Sequence, residues 1–437
     1  MNDNCIENRR ELRVIDENLT DTGSDLHKND LIKSHNSDSP QTPVWSHFLD
    51  TVLKLKLLKN MLLSMKYYSK RLYIIFWRNF SLKILKQPNL IDELSLDPHV
   101  RTSPFIDPPE NEIKLTWNQI FGTRLARIYF MAFHLMALLA LYYCLIGQVK
   151  LFTILWTLTL GIMALIGMSA GAHRLWSHQS FKATWQLRLI LMIFQTMSVQ
   201  YSLYTWALQH RIHHKFVDTD SDPHNSRRGF FFSHIGWNLI QPHPDMLDKV
   251  KNINMKDAEQ DHITMFQYKY YVPLVVVIAY VIPTVVPWYF WSENLWVAHV
   301  VAGHLRYMLT LHSTCCVNSV AHLWGNKPYD KNIFPAQNMF VQAFTLGDGW
   351  HNYHHVFPWD YRSSELGSFK LFNLPTAFID LFARIGWAHD LKTVSPDVVY
   401  KRVKRTGDGS HHIWGWNDES MSPKDREIAE ISHEKKF

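Results

Sequence analysis

Four long apolar runs divide the chain, and they come in two close pairs. The runs occupy residues 128–147, 151–171, 271–291 and 295–317. Each is about 20 residues long, which is the length an α-helix needs to cross the hydrocarbon core of a bilayer. Only a few residues separate the two members of each pair, so each pair predicts a tight helical hairpin. The pattern predicts an all-α integral membrane protein with four transmembrane helices arranged as two hairpins.

The fourth run contains several ionisable side chains. His299, His304, Arg306 and His312 all fall within it. Ionisable groups inside a bilayer are costly, and they usually face other helices or serve a function. We therefore expect this helix to pack inside the bundle.

The two ends of the chain are polar. Residues 1–110 form an N-terminal extension that we expect to be partly disordered, and residues 411–437 form a polar tail. Within the extension, residues 46–86 interleave Leu and Met with Lys and Arg. This favours a basic amphipathic helix on the membrane surface, with a plain solvated helix or a partly ordered tail as an equal alternative. Residues 111–410 then form one domain that contains all four runs.

Charge and composition favour a lipid partner over a nucleic-acid partner. The net charge is +6, and the mean hydropathy of -0.17 is low only because the polar ends dilute the apolar middle. The segment 172–269 is rich in Lys and Arg, whereas the two predicted hairpin turns contain only Lys150. By the positive-inside rule, we expect the large polar parts and both termini to be cytosolic, next to anionic lipid. No nucleic-acid-binding motif accompanies the charge.

The cysteines indicate a reducing environment. Cys5, Cys144, Cys315 and Cys316 form no C-x-x-C pair. We expect free thiols rather than a disulfide framework. No secretory signal peptide is apparent, so membrane insertion is expected to depend on the internal spans.

The 25 histidines of the chain are concentrated in clusters. Box one is His173-Arg-Leu-Trp-Ser-His178, box two is His210-Arg-Ile-His213-His214, and box three is His351-Asn-Tyr-His354-His355. Boxes two and three share the spacing H-x-x-H-H, which places three imidazoles on one face of a helix. Adjacent histidines differ by about 100° in direction, so His213 and His214 can reach different metal ions. The five-residue spacing in box one predicts a helix end, a distorted helix, or ligands to different ions.

The number of clustered histidines indicates a dinuclear metal site. A mononuclear oxygenase typically needs two histidines and a carboxylate, and a zinc hydrolase needs about three ligands and an open position. Soluble di-iron proteins use Glu and Glu-x-x-His ligands, which these boxes lack. Imidazole suits iron. A pair of irons that activates dioxygen beside lipid would supply the oxidant needed to remove hydrogen from an unactivated methylene.

Several longer motifs resemble animal membrane acyl-CoA desaturases of the stearoyl-CoA Δ9 type, particularly those of insects. The motifs are Ala170-Gly-Ala-His-Arg-Leu-Trp-Ser-His178, Asp222-Pro-His-Asn-Ser-Arg-Arg-Gly-Phe-Phe-Phe-Ser-His-Ile-Gly-Trp237, Val317-Asn-Ser-Val-Ala-His322, Gly349-Trp-His-Asn-Tyr-His-His-Val-Phe-Pro-Trp-Asp-Tyr361 and Lys404-Arg-Thr-Gly-Asp-Gly409. The resemblance covers about residues 112–410 without a break in order. It implies four membrane helices and a cytosolic helical cap that holds a histidine-rich di-iron site.

The resemblance also implies the ligands, cofactors and partners. The implied ligands are His173, His178, His210, His213, His214, His322, His351, His354 and His355, with Asn318 binding through a water. The implied cofactors are two Fe2+ ions, with O2 as co-substrate. The implied partners are an acyl-CoA substrate, cytochrome b5 and its reductase, and membrane lipid at the endoplasmic reticulum. No further catalytic residue or organic cofactor is implied.

Substrate contacts are implied at positions where this chain partly departs from the family. Trp206 and Thr314 are retained. Leu208 and Gln209 replace an Arg and an Asp that contact the CoA head group in the family, and Gln119 stands where the family has an asparagine. Because charged groups are lost at two of these positions, other substrates stay open. The alternatives are an acyl-lipid or other-position desaturase, a hydroxylase of the same histidine-box class, and a non-catalytic membrane protein that binds metal.

Overall fold

The structure is a computed structural model that describes residues 124–367, 372–411, 424 and 427. The predicted N-terminal extension with its helix at 46–86, Gln119, and most of the polar tail lie outside these residues. All the histidine boxes lie within them.

The described residues are almost entirely helical. In chain order the α-helices are α1 Arg124–Leu145, α2 Leu151–Ile166, α3 Trp185–Met197, α4 Leu203–Lys215, α5 Phe230–His234, α6 Pro244–Val250, α7 Lys256–Gln260, α8 His262–Lys269, α9 Tyr271–Val275, α10 Ile282–Trp291, α11 Leu295–Ala298, α12 Arg306–Asn318, α13 Val320–Leu323, α14 Met339–Thr345, α15 His351–Val356, α16 Leu374–Arg384 and α17 Pro396–Thr406. Three π-helical segments, Gly167–Ser177, Val276–Val281 and His299–Leu305, continue or join these helices, and two 3-10 turns lie at Ser226–Arg228 and Gly236–Leu239. The strands β1 Lys182–Ala183 and β2 Ala388–His389 pair antiparallel.

Three helical runs are long and apolar enough to cross a membrane, and they match the first three predicted spans. They are Arg127–Leu145, Leu151–Ser177 and Tyr271–Trp291. Large apolar side chains face outward along the first of them; Leu138 and Leu145, for example, are 61% and 78% exposed. An outward apolar face along a whole helix is expected where a helix contacts lipid instead of water.

The fourth predicted span is helical, but it is not among the helices apolar enough to be a candidate span in the described part of the chain. It consists of α11, the π segment His299–Leu305 and α12, and it packs against α1, α2 and the third candidate span. The Arg306 side chain is buried there and donates hydrogen bonds to the backbone carbonyls of Met197, Ala279 and Ala302 at 2.6, 3.0 and 2.9 Å. This segment is polar because its side chains meet other helices rather than lipid.

The start of the π segment Gly167–Ser177 is pressed against α3. A side chain at Gly167 would overlap the backbone of Phe194 and Gln195, so only glycine allows this close approach. Buried side chains of α2, the π segment, α3 and α4 form one core, together with Ile379 of α16. This core fixes the positions from which boxes one and two project.

Candidate metal centre

Box one lies at the end of a distorted helix, which is one of the alternatives that its five-residue spacing left open. His173 and His178 fall in the same group of histidines, so the alternative of ligands to different ions is not the one the structure favours. His173 is in the π segment, and His178 caps it by donating its backbone N–H to the carbonyl of His173 at 3.1 Å. A π-helix closes its hydrogen bonds over five residues, so its wider turn brings residues five apart onto a similar face. The ring centroids of His173 and His178 are consequently only 5.0 Å apart.

Boxes two and three lie on ordinary α-helices. His210, His213 and His214 are on α4, and His351 and His354 are on α15. His322, which only the resemblance predicts as a ligand, projects from the short helix α13.

The nine histidines converge into two groups, each of which could hold a metal ion. The five-histidine group contains His173, His178, His210, His214 and His354, and the four-histidine group contains His213, His322, His351 and His355. Adjacent histidines divide between the groups, as their difference in direction predicts. Within a group, the ligand atoms lie within 4.8 Å of one another.

The spacing of the facing nitrogens fits a metal ion. In the five-histidine group, Nε2–Nε2 distances are 2.9 Å for His173 and His354, 2.8 Å for His178 and His210, and 3.0 Å for His214 and His354. In the four-histidine group, they are 3.3 Å for His213 and His355, 2.9 Å for His322 and His351, and 3.1 Å for His351 and His355. Two nitrogens that bind one ion at about 2.1 Å and at right angles lie about 3.0 Å apart.

Two buried aspartates set the orientation of two imidazoles in the four-histidine group. His213 Nδ1 lies 2.8 Å from Asp222 Oδ2, and His322 Nδ1 lies 3.0 Å from Asp218 Oδ2. Because a carboxylate only accepts hydrogen bonds, each imidazole donates its Nδ1–H. The lone pair of each Nε2 therefore points into the group, which is the arrangement that a metal-binding histidine needs.

The neutral state of most of these imidazoles also favours metal binding. Burial, with help from Arg211, lowers the pKa of His178 to about 3. Burial likewise holds the pKa well below its usual value at His210, His214, His351, His354 and His355. Burial alone would lower the pKa of His213 too, but Asp222 raises it above its usual value. Neutral imidazoles are the form that binds metal ions.

The carboxylates themselves stay ionised. Burial would raise the pKa of Asp218, but His322 and Ser226 hold it well below its usual range. Burial would also raise the pKa of Asp222, but His213 and His224 lower it below the usual value.

A cavity of about 50 Å³ lies against both groups. Its lining residues are Leu165, Met168, Ser169, His173, Trp206, His210, His213, Thr314, Val317, Asn318, Thr345, Asp348 and His351. Apolar walls therefore meet imidazoles from both groups at one place. The cavity therefore presents an apolar surface next to the metal positions.

Only some of the residues predicted to contact the substrate line the cavity. Trp206 and Thr314 line the cavity, and so does Asn318. Leu208 does not; it packs on the cluster of Ala207, Met255 and Ala258. Gln209 is half-buried on α4 and is likewise absent from the cavity wall.

Several polar residues around the site were not predicted from the sequence. Besides Asp218 and Asp222, these include Asp348, whose Oδ1 accepts hydrogen bonds from Ser169 Oγ at 2.7 Å and Arg174 at 3.0 Å. The sequence contained one indication of a supporting role for Asp218 and Asp222, because both come shortly after box two. Carboxylates commonly support metal-binding histidines from behind.

Comparison with known proteins agrees with this geometry. A sequence model of the fatty acid desaturase family matches residues 148–378. That range contains all three boxes and His322.

The most similar relatives include three insect enzymes of known specificity. An acyl-CoA Delta-9 desaturase of Acheta domesticus is 51% identical over 308 residues, which are 70% of this chain and 85% of the relative. An acyl-CoA Delta(11) desaturase of Trichoplusia ni is 50% identical over 307 residues, 69% of this chain and 86% of the relative. An acyl-CoA Delta-12 desaturase of Tribolium castaneum is 44% identical over 349 residues, 75% of this chain and 95% of the relative.

Proposed function

Because the chain belongs to the fatty acid desaturase family, we propose that it inserts a cis double bond into a saturated acyl-CoA with O2 as co-substrate. One observation carries this proposal. Two groups of buried imidazoles, whose Nε2 atoms face one another at metal-ligand spacing, meet a cavity with apolar walls.

The donor set suits two Fe2+ ions. His173, His178, His210, His214 and His354 would hold one ion, and His213, His322, His351 and His355 would hold the other, with Asn318 on the cavity wall binding through a water. Bound iron supplies the capacity to activate dioxygen, which removing hydrogen from an unactivated methylene requires. The ligands are all-imidazole, which iron accepts and which harder ions such as Mg2+ do not prefer.

The remaining side chains position the reactants. Asp218 and Asp222 hold the tautomers of two ligands, and the apolar wall formed by Leu165, Met168 and Val317 keeps water from the acyl chain. Trp206 and Thr314 limit how the chain can lie beside the imidazoles. Two hydrogens leave the chain and dioxygen ends as two waters, so two further electrons and two protons are needed. We propose cytochrome b5 and its reductase as the source of the electrons.

The way the boxes meet supports a fourth membrane crossing. Boxes one and two precede the span Tyr271–Trp291, whereas His322 and box three follow it, yet their imidazoles share two groups. An even number of crossings must separate them, and the helix from α11 to α12 is the segment available. This supports four spans, a helical cap and both termini on the cytosolic side, and a multi-pass location in the endoplasmic reticulum membrane.

The position of the double bond is the most specific part of the proposal. We favour Δ9 because the Delta-9 relative is similar to this chain over most of both sequences and because the motifs resemble Δ9 enzymes. The Delta(11) and Delta-12 relatives are comparably similar, so other positions are the main alternative. Leu208 and Gln209 replace residues that contact CoA in the family, which keeps an acyl-lipid substrate as a further alternative.

Expression in a yeast strain that lacks its own desaturase tests the proposal. Fatty acids would be derivatised with dimethyl disulfide and analysed by mass spectrometry, which locates the double bond. A Δ9 product supports the full proposal, whereas a Δ11 or Δ12 product keeps the desaturase and overturns the position. A hydroxylated product without a double bond overturns desaturation. No product from an expressed, metal-loaded protein favours a non-catalytic metal-binding role.

A further inference from the structure

The loop after α4 carries two buried aspartates, and its hydrogen bonds fix both of them. Asp218 Oδ1 accepts hydrogen bonds from the backbone N–H and the hydroxyl of Ser226, at 3.0 and 2.6 Å. Asp222 accepts from the backbone N–H groups of Asp218 and His224, at 2.8 and 3.1 Å. Asp218 also has a left-handed backbone with φ of 56°, which the loop sustains to aim its carboxylate inward.

Both carboxylates lie behind histidines of the same group. Asp222 binds His213 and Asp218 binds His322, and both histidines belong to the four-histidine group. In the described chain, neither aspartate forms an ion pair with a Lys or Arg. Their two negative charges are therefore available to balance a cation held by that group.

In the part of the chain that the structure describes, the five-histidine group has no comparable support. The carboxylate within ion-pair distance of it there is Asp348, whose Oδ1 lies 3.9 Å from His173 Nδ1, beyond hydrogen-bond distance. Asp348 is paired with Arg174 at 3.0 Å, which cancels its charge. Among the described residues, no carboxylate comes within ion-pair distance of the other histidines of this group, namely His178, His210, His214 and His354.

Two effects then compete in setting the metal affinity. A fifth imidazole favours the five-histidine group. Burying a divalent cation without a countercharge is costly, however, and this cost falls on the five-histidine group alone. A carboxylate bonded to Nδ1–H also makes the opposite nitrogen a stronger ligand. Because charge balance outweighs one neutral ligand in a buried site, the four-histidine group should bind its ion more tightly.

We propose that Asp218 and Asp222 are positioning residues that make the four-histidine group the tighter metal position, so that it fills before the five-histidine group. This proposal rests on the proposed function in taking both groups as metal positions. It implies that a protein loaded with a single ion holds that ion in the four-histidine group, which contains His322.

Metal titration of the full-length protein tests the order of filling. The purified protein is stripped with a chelator in detergent and titrated with Co2+ alone, with binding followed by calorimetry and by the visible absorption of the bound ion. The wild type should bind two Co2+ ions with affinities at least about 10-fold apart. His173→Ala should keep the tight class and lose the weak one, and His351→Ala should do the reverse. The first ion in the wild type should give the absorption spectrum of the His173→Ala variant.

Variants of Asp218 and Asp222 test whether these carboxylates cause the tighter binding. Asp218→Asn and Asp222→Asn should each weaken the tight class by about 10- to 100-fold and leave the weak class unchanged. Asp220→Asn is the matched control, since Asp220 is exposed in the same loop and the same charge is removed. Asp348→Asn should leave the tight class unchanged. Circular dichroism and size exclusion are measured for every variant, and any variant that fails them is replaced by the corresponding Glu variant.

The outcomes distinguish a failure of the proposed function from a failure of this inference alone. If the wild type binds fewer than two Co2+ ions, the metal positions of the proposed function are wrong and so is this inference. If two ions bind but the tight class survives in His351→Ala, or Asp218→Asn and Asp222→Asn behave like Asp220→Asn, only this inference is overturned.

Discussion

His213 and His214 are neighbours in the chain, yet their imidazoles enter different groups of nitrogens. His354 and His355 divide in the same way. Adjacent side chains on an α-helix point about 100° apart, so one helical turn serves both groups and holds them at a fixed spacing. Removing one member of such a pair should disable one group and leave the supporting helix intact.

His354→Ala is the clearest test of this at the residue scale. His354 is buried, and its Nε2 lies within 3.0 Å of two other imidazoles of its group. Loss of a residue behind a ligand already costs about 10- to 100-fold in activity, so loss of the ligand should reduce product by about 100-fold or more. Product is measured in the desaturase-deficient yeast, with membrane insertion checked by carbonate extraction. His262→Ala, which removes an exposed histidine, should retain activity. Normal product from His354→Ala would contradict the ligand role.

The box histidines could be predicted from spacing because a repeated H-x-x-H-H is rare and its helical geometry is simple. His322 and Asn318 needed the resemblance, since a lone histidine after an apolar run has no periodic signal. Asp218 and Asp222 were not predicted. Aspartates in a polar loop are ordinarily solvated, and only the folded loop turns these two inward.

At the scale of elements, box one depends on a π-helix that the spacing predicted only as a distortion or a helix end. Sequence could not decide between these, because the π segment is held by tertiary contacts. Its first residue, Gly167, meets the backbone of α3, and its last turn is closed by His178.

Gly167→Ala should disrupt this contact. The added methyl would overlap the backbone of Phe194 and Gln195, which forces α2 and α3 apart and displaces His173. Overpacking of this kind typically costs about 1–3 kcal/mol, so we expect a lower melting temperature and reduced product. Thermal unfolding followed by size exclusion measures the first, and the yeast assay measures the second.

Gly161→Ala is the matched control on the same helix. Its nearest neighbour would be the Arg306 side chain at an ordinary contact distance of 3.9 Å. Alanine is a better helix former than glycine, so this variant should be neutral or slightly stabilising. If the two variants had the same melting temperature and the same amount of product, the close approach of α2 and α3 would not be critical for stability or activity.

Arg306 joins three helical elements through their backbone carbonyls. Its guanidinium binds Met197 at the end of α3, Ala279 in one π segment and Ala302 in another. Arg306→Ala would remove three buried hydrogen bonds from a charged donor, at about 1–3 kcal/mol each. We expect the melting temperature in detergent to fall by about 5 °C or more. Arg306→Lys should rescue only part of this, because a single ammonium cannot match the planar fork. Arg188→Ala, at a partly exposed arginine, should change it little.

At the scale of the whole molecule, the site constrains how the chain crosses the membrane. Hydropathy finds three candidate spans in the described residues, and an odd number would separate box two from box three by a bilayer. The shared groups require both boxes on one side. We predict a fourth crossing at the run 295–317. Its polar side chains, such as the buried Arg306, lower its hydropathy, so length and apolarity alone do not identify it.

Cysteine accessibility tests this topology. In a background where the native cysteines are replaced, we introduce Gln148→Cys and Ser292→Cys in the hairpin turns, and Asp220→Cys and Lys331→Cys in the cap; all four positions are exposed. Four crossings place both cap positions on one face and both turns on the other. In sealed microsomes, a membrane-impermeant maleimide should therefore label Asp220→Cys and Lys331→Cys, and it should label Gln148→Cys and Ser292→Cys only after permeabilisation. If Lys331→Cys were protected while Asp220→Cys was labelled, the crossings would be odd in number, and boxes two and three could not share a metal centre.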